Sequence, residues 1–82
     1  MQNLTLFNID EWIEDDELSD LISTFAPVSD VQIKSSASLS KPRIAKVRMK
    51  STNDAVTALL ALHGYHLNGR SLSVTFWHEA IP

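Results

Sequence analysis

Two apolar stripes at helical spacing, each set between stretches that alternate apolar and polar residues, constrain this chain more than any other feature of its sequence. Leu18, Leu21, Ile22 and Phe25 recur at i, i+3, i+4 and i+7, and Ala55, Ala58, Leu59 and Leu62 repeat the pattern. As α-helices, both segments present one apolar face. Four further segments alternate with the period of two that belongs to strands. In residues 3 to 9, Leu4 and Leu6 turn one way while Thr5 and Phe7 turn the other. The inward residues of the remaining strands are Val31 and Ile33 in 28 to 34, Ala45, Val47 and Met49 in 44 to 50, and Leu72, Val74 and Phe76 in about 71 to 77. The predicted order is βαββαβ.

Local signals set the boundaries. Asp15, Asp16 and Glu17 place negative charge at the positive end of the first helix, and Pro27 stops it. Thr52, Asn53 or Asp54 caps the second helix, and Gly64 ends it. The Ser-rich run 35 to 40 with Lys41 and Pro42 reads as a loop, as does the stretch containing Asn68-Gly69. A helix with one stripe and a strand with one apolar face must each bury that face, so both helices pack on the same side of one sheet. The fold class is α+β. It is a ferredoxin-like βαββαβ sandwich, with a four-stranded antiparallel sheet in the order 4-1-3-2 and two helices on one face. The opposite face is left open and is the candidate site.

A chain of 82 residues is read as a single domain over 1–82, with its core at about 3–77. That length leaves no room for an active-site cavity between lobes. Hydrophobic residues at 44% and charged residues at 21% match an ordinary globular protein, with a stability of order 5 kcal/mol. There are no cysteines, which excludes disulfides, thiolate metal sites and thiol nucleophiles. No apolar run approaches the roughly 20 residues needed to span a bilayer, and the amino terminus lacks the layout of a signal peptide. A cytoplasmic location with no membrane partner is expected. The net charge of −3 is unevenly distributed. Residues 10 to 30 carry acids and no Lys or Arg, whereas residues 34 to 50 carry Lys34, Lys41, Arg43, Lys46, Arg48 and Lys50 and no acid.

These residues resemble a known family. Leu18-x-x-Leu21-Ile22-x-x-Phe25-Ala26-x-Val28-x-x-Val31-x-Ile33 is similar to the first helix and second strand of RNA recognition motif (RRM) domains. Ala55-x-x-Ala58-Leu59-x-x-Leu62-His63-Gly64-x-x-Leu67-x-Gly69-Arg70-x-Leu72-x-Val74 is similar to their second helix, following loop and fourth strand. The resemblance runs from about residue 3 to 77. It implies that single-stranded RNA is held on the open face by a hexamer on the first strand and an octamer on the third. Leu4-Thr5-Leu6-Phe7-Asn8-Ile9 stands at the hexamer and Pro42-Arg43-Ile44-Ala45-Lys46-Val47-Arg48-Met49 at the octamer. Thr5, Ile44 and Lys46 occupy the family's three stacking positions, and Arg43 replaces a glycine. One base stacked on one ring is worth about 1–3 kcal/mol, so weak binding of low sequence specificity is expected.

By strand alternation, Phe7 and Trp77 point to the open face together with Lys34, Lys46 and Arg48. On this reading bases stack on the two rings, while Lys34, Lys46, Arg48 and the loop cations Lys41 and Arg43 meet phosphates. Structural readings stand beside it. Phe7 can cover Ile44 across neighbouring strands, Trp77 can lie under residues 78 to 82, and the cations can serve solubility alone. Trp12 is expected to pack over the helix start. His63 and His66 flank a helix end without a third ligand, so no metal site is expected and loop-bonded or exposed histidines are. No cofactor and no enzymatic activity are expected, since no oriented nucleophile or phosphate-cradling loop is present.

An alternative from another class is a protein-interaction module of the same fold, binding a peptide, a partner domain or a second copy of the chain. Acidic helix one and Arg70-Ser71-Leu72 are similar to RRM variants that capture a peptide tryptophan, although those variants usually carry Phe where this chain has Leu72. An acylphosphatase-like enzyme is compatible with the fold alone.

Overall fold

The structure is a computed structural model that describes residues 3–34 and 43–77. The loop expected over 35 to 42, with Lys41, and the segment 78 to 82 lie outside the described residues. The elements are β1 (Asn3–Ile9), α1 (Asp15–Ser23), β2 (Val28–Lys34), β3 (Arg43–Met49), α2 (Thr52–Leu62), β4 (His66–Leu67), β5 (Arg70–Ser71) and β6 (Ser73–Trp77). The main sheet runs β2-β3-β1-β6, with every neighbouring pair antiparallel. This is the order expected from the sequence, with β6 as the fourth strand.

Register brings the inward residues into rows. Leu4 stands opposite Val47 and Phe76, Leu6 opposite Ala45 and Val74, and Val31 opposite Val47. Leu18 and Ile22 of α1 and Ala55, Ala58 and Leu62 of α2 close over these rows in one buried cluster. A Leu side chain fully removed from water contributes about 2 kcal/mol, so Leu4, Leu6, Leu18 and Leu62 carry much of the stability. Among the described residues no helix is long and apolar enough to cross a membrane.

Several local expectations are corrected. The first helix ends at Ser23, and the Phe25 N–H then bonds the Ile22 carbonyl three residues back. This tighter turn carries Phe25 outward, where its ring meets Tyr65 edge-on at 6.3 Å, and puts Ala26 into the core instead. The cap of α2 is Ser51, one residue before the candidates named above, and its hydroxyl accepts from the Asp54 N–H at 3.1 Å. Phe76 faces the helix side but stays 39% exposed, because β6 is an edge strand with a neighbour on one side only.

The stretch around Asn68-Gly69 is a hairpin of β4 and β5 rather than a loop. Asn68 and Gly69 have φ of 51° and 80°, the positive pair that a two-residue type I′ turn requires. Residue Asn8 also adopts a positive φ, 69°, at an irregularity in the β1–β3 register between Leu6 and Ile9. Its side chain donates to the Ser71 carbonyl and accepts from Arg70, both at 2.9 Å. The bulge thereby ties the hairpin to the main sheet.

Candidate functional site

The face away from the helices is assembled from alternate residues of four strands. β1 supplies Asn3, Thr5 and Phe7, and β3 supplies Ile44, Lys46 and Arg48. β6 supplies Ser73, Thr75 and Trp77, and β2 supplies Asp30, Gln32 and Lys34. In β2 the register shifts between Val28 and Asp30. One extra residue lets Val28 pack inward, as Val31 and Ile33 do, while Asp30 stays on the open face.

Trp77 organises this face. Its Nε1 donates to the Leu4 carbonyl at 2.8 Å, and its ring meets Lys46 Nζ at 4.8 Å and Arg48 Cζ at 5.9 Å from the centroid. β1 lies between β6 and β3, so a ring that starts on β6 and reaches cations on β3 crosses β1. On β1, Asn3, which pairs with Trp77, and Thr5, which pairs with Thr75 and Lys46, are only 3% and 4% exposed. Asn3 is further held in place because its Oδ1 accepts from the Met49 N–H at 3.2 Å. Both cation contacts lie within the roughly 6 Å at which a cation is attracted to the face of an indole.

A pocket of about 240 Å³ opens beside the ring, lined by Asp30, Gln32, Lys34, Lys46, Arg48 and Trp77. It unites four of the residues expected from the sequence, Lys34, Lys46, Arg48 and Trp77. The others are placed differently. Phe7 lies further along β1 opposite Ser73, 38% exposed, and Ile44 is half-buried opposite Lys34. Thr5 is shielded, as above. Lys41 lies outside the described residues.

Arg43 is half-buried and engaged with the protein itself. Its Nη2 donates to the carbonyls of Asp10 and Ile13 and so holds the loop between β1 and α1. Asn68 adds a bond to the Asp10 carboxylate at 3.2 Å. Within that loop Ile13 is buried and Trp12 is 76% exposed. The residue that packs over the helix start is therefore Ile13, and Trp12 projects into solvent. His63, at the end of α2, is bonded to β6 rather than within a loop, its Nδ1 accepting from the Val74 N–H at 3.0 Å.

Two pocket residues, Asp30 and Gln32, were not singled out from the sequence. The signal for them was present, because residues two and four positions before an outward Lys34 share its face.

The model of the family described as RNA recognition motif matches residues 4–73. The fold is shared with solved structures at low identity. The RNA binding protein PG1 aligns at 20% identity over 100% of both chains, with a TM-score of 0.83. RNA recognition domains 1 and 2 of Sex-lethal from Drosophila melanogaster align at 21% identity and a TM-score of 0.82, over 96% of this chain and 51% of that one. The RRM of Rna15, solved with bound RNA (GU), aligns at 19% identity and a TM-score of 0.80, over 94% of this chain and 83% of that one. Comparison with curated proteins finds no match by sequence. With the family pattern spanning most of the chain and the four-stranded sheet and two helices in their expected places, the chain belongs to the RNA recognition motif family.

Proposed function

We propose that this chain binds single-stranded RNA on its open face, weakly and with low overall sequence specificity. The observation that carries the reading is the Trp77 ring, bonded to the Leu4 carbonyl of β1 and flanked by Lys46 and Arg48 of β3. In the family pattern the Thr5 position is where an aromatic ring stacks on a base. Here Thr5 pairs with Lys46, and Lys46 lies against the Trp77 ring from the last strand. A base entering the pocket meets the indole, and a second base can rest on Phe7. Lys34, Lys46 and Arg48 line the same surface, where they meet phosphates, and Lys41 is a further phosphate contact on this reading. Arg43 supports the site indirectly by holding the β1–α1 loop. Family membership and the RNA-bound Rna15 neighbour agree with this reading.

The test is a two-dimensional NMR titration with a pool of short single-stranded RNAs. Shifts are expected at Phe7, Lys46, Arg48 and the Trp77 indole, and the double variant Lys46→Glu/Arg48→Glu is expected to abolish them while keeping a folded spectrum. A sheet whose signals do not move would remove the reading. A second reading, capture of a protein partner, is favoured by Trp12, 76% exposed on a held loop. It predicts that a bound protein shifts residues 11 to 20 and leaves the sheet unchanged.

A further inference from the structure

We propose that the pocket beside Trp77 reads one base of the bound RNA and selects guanine, with Asp30 as the residue that sets the selection. This rests on the RNA-binding reading above and adds a single discriminating position to an otherwise tolerant surface.

The starting point is a charge of the wrong sign. The pocket holds Lys34, Lys46 and Arg48, which suit a phosphate backbone, but it also holds Asp30, which repels one. Asp30 stands opposite Arg48 in the strand register, yet it makes no hydrogen bond or ion pair among the described residues. Asp30 is exposed near the start of β2 and lines the pocket. A carboxylate placed among cations on a nucleic-acid surface is explained if it faces a base edge, where it can accept hydrogen bonds from N–H groups.

The chemistry of the four bases decides which edge fits. An ionised carboxylate only accepts, through two oxygens side by side. Guanine presents two adjacent donors, N1–H and the N2 amino group, which match those oxygens with two parallel bonds. Uracil offers one N–H between two carbonyl oxygens that face the carboxylate unfavourably. Adenine and cytosine each offer one amino group beside a ring acceptor. Guanine also carries two acceptors, O6 and N7, suited to Lys and Arg donors. The pocket supplies both halves of this complement, Asp30 for the donor edge and Lys34 or Lys46 for the acceptors, with the Trp77 indole against the ring face. At about 240 Å³ the pocket is below the roughly 300–1,000 Å³ of typical drug-sized sites, as a site for one planar base should be.

The test measures fluorescence anisotropy of end-labelled RNA hexamers with the full chain. The probes are hexauridylate and the same oligomer with one central guanosine, inosine, adenosine or cytidine. A single guanosine should tighten binding about tenfold, the size of one bidentate base contact. Inosine lacks the N2 amino group and should lose most of that gain. Asp30→Asn, with an unchanged NMR spectrum, should bring guanosine and uridine to within about twofold. Equal affinity for all the hexamers, or a guanosine preference that survives in Asp30→Asn, overturns the assignment and leaves RNA binding standing. No binding of any hexamer overturns RNA binding and the assignment together.

Discussion

Asn8 shows how one residue can join two parts of the fold. It takes a left-handed backbone conformation, and its amide both donates to Ser71 and accepts from Arg70. Asn tolerates that conformation better than residues with apolar side chains, for which it costs about 1–2 kcal/mol. Each side-chain bond adds about 0.5–1.5 kcal/mol. Asn8→Ala should therefore destabilise the protein by about 2 kcal/mol in urea unfolding, and Asn8→Gly by about 1 kcal/mol, since glycine loses the bonds but accepts the backbone. Equal losses in the two variants would show that φ at this position carries no strain. Residue identity in the sequence revealed little of this, because the bonds link positions 63 and 62 residues apart. Thr5 and Trp77 teach the same lesson. Alternation placed both on the open face, and only the structure shows Thr5 buried and the Trp77 ring against Lys46 and Arg48.

At the scale of elements, the period of the apolar pattern located both helices and all four long strands, since burial on one face is a local property of spacing. The ends were harder to read. A cap is chosen by which side chain reaches a free N–H, and Ser51, Thr52, Asn53 and Asp54 are all competent by type. The structure selects Ser51. Ser51→Ala should destabilise the protein by about 1 kcal/mol, lowering the Tm by about 4–8 °C for a domain of this size. Thr52→Ala and Asn53→Ala should stay within about 0.5 kcal/mol of the parent. Calorimetry on the three variants checks this, and a larger loss at Thr52 or Asn53 would contradict the assigned cap. The β4–β5 hairpin was read only as a loop, because its strands are two residues each; Asn68-Gly69 marked the turn, and the structure shows the pairing.

Across the whole molecule, segregated charge outweighs net charge. Seven of the ten acidic residues lie in the β1–α1 loop and α1, and the open face carries Lys34, Lys46 and Arg48 beside Asp30, so a chain of net charge −3 still has a mainly basic open face. Three phosphate contacts correspond to a slope of about −2 in log affinity against log salt concentration. Binding of a short single-stranded RNA should then weaken by about fifteenfold between 50 and 200 mM salt. A slope near zero would mean that these cations do not meet phosphates.

The sequence by itself determined the order of the two helices and the four long strands, the side of the sheet that faces the helices and the excess of positive charge on the open side. Each follows from periodicity or composition within a short window. What the tertiary structure alone decided is how that open side is furnished. Trp77 reaches the carbonyl of Leu4, 73 positions away, and meets Lys46 and Arg48. Arg43 turns to the carbonyls of Asp10 and Ile13 instead of the open face. Asp30 joins Lys34, Lys46 and Arg48 in one pocket. These arrangements depend on the register between strands distant in the chain. Register is set by which apolar faces are buried together and by turn geometry, and for strands far apart in the chain a short window of sequence does not show it.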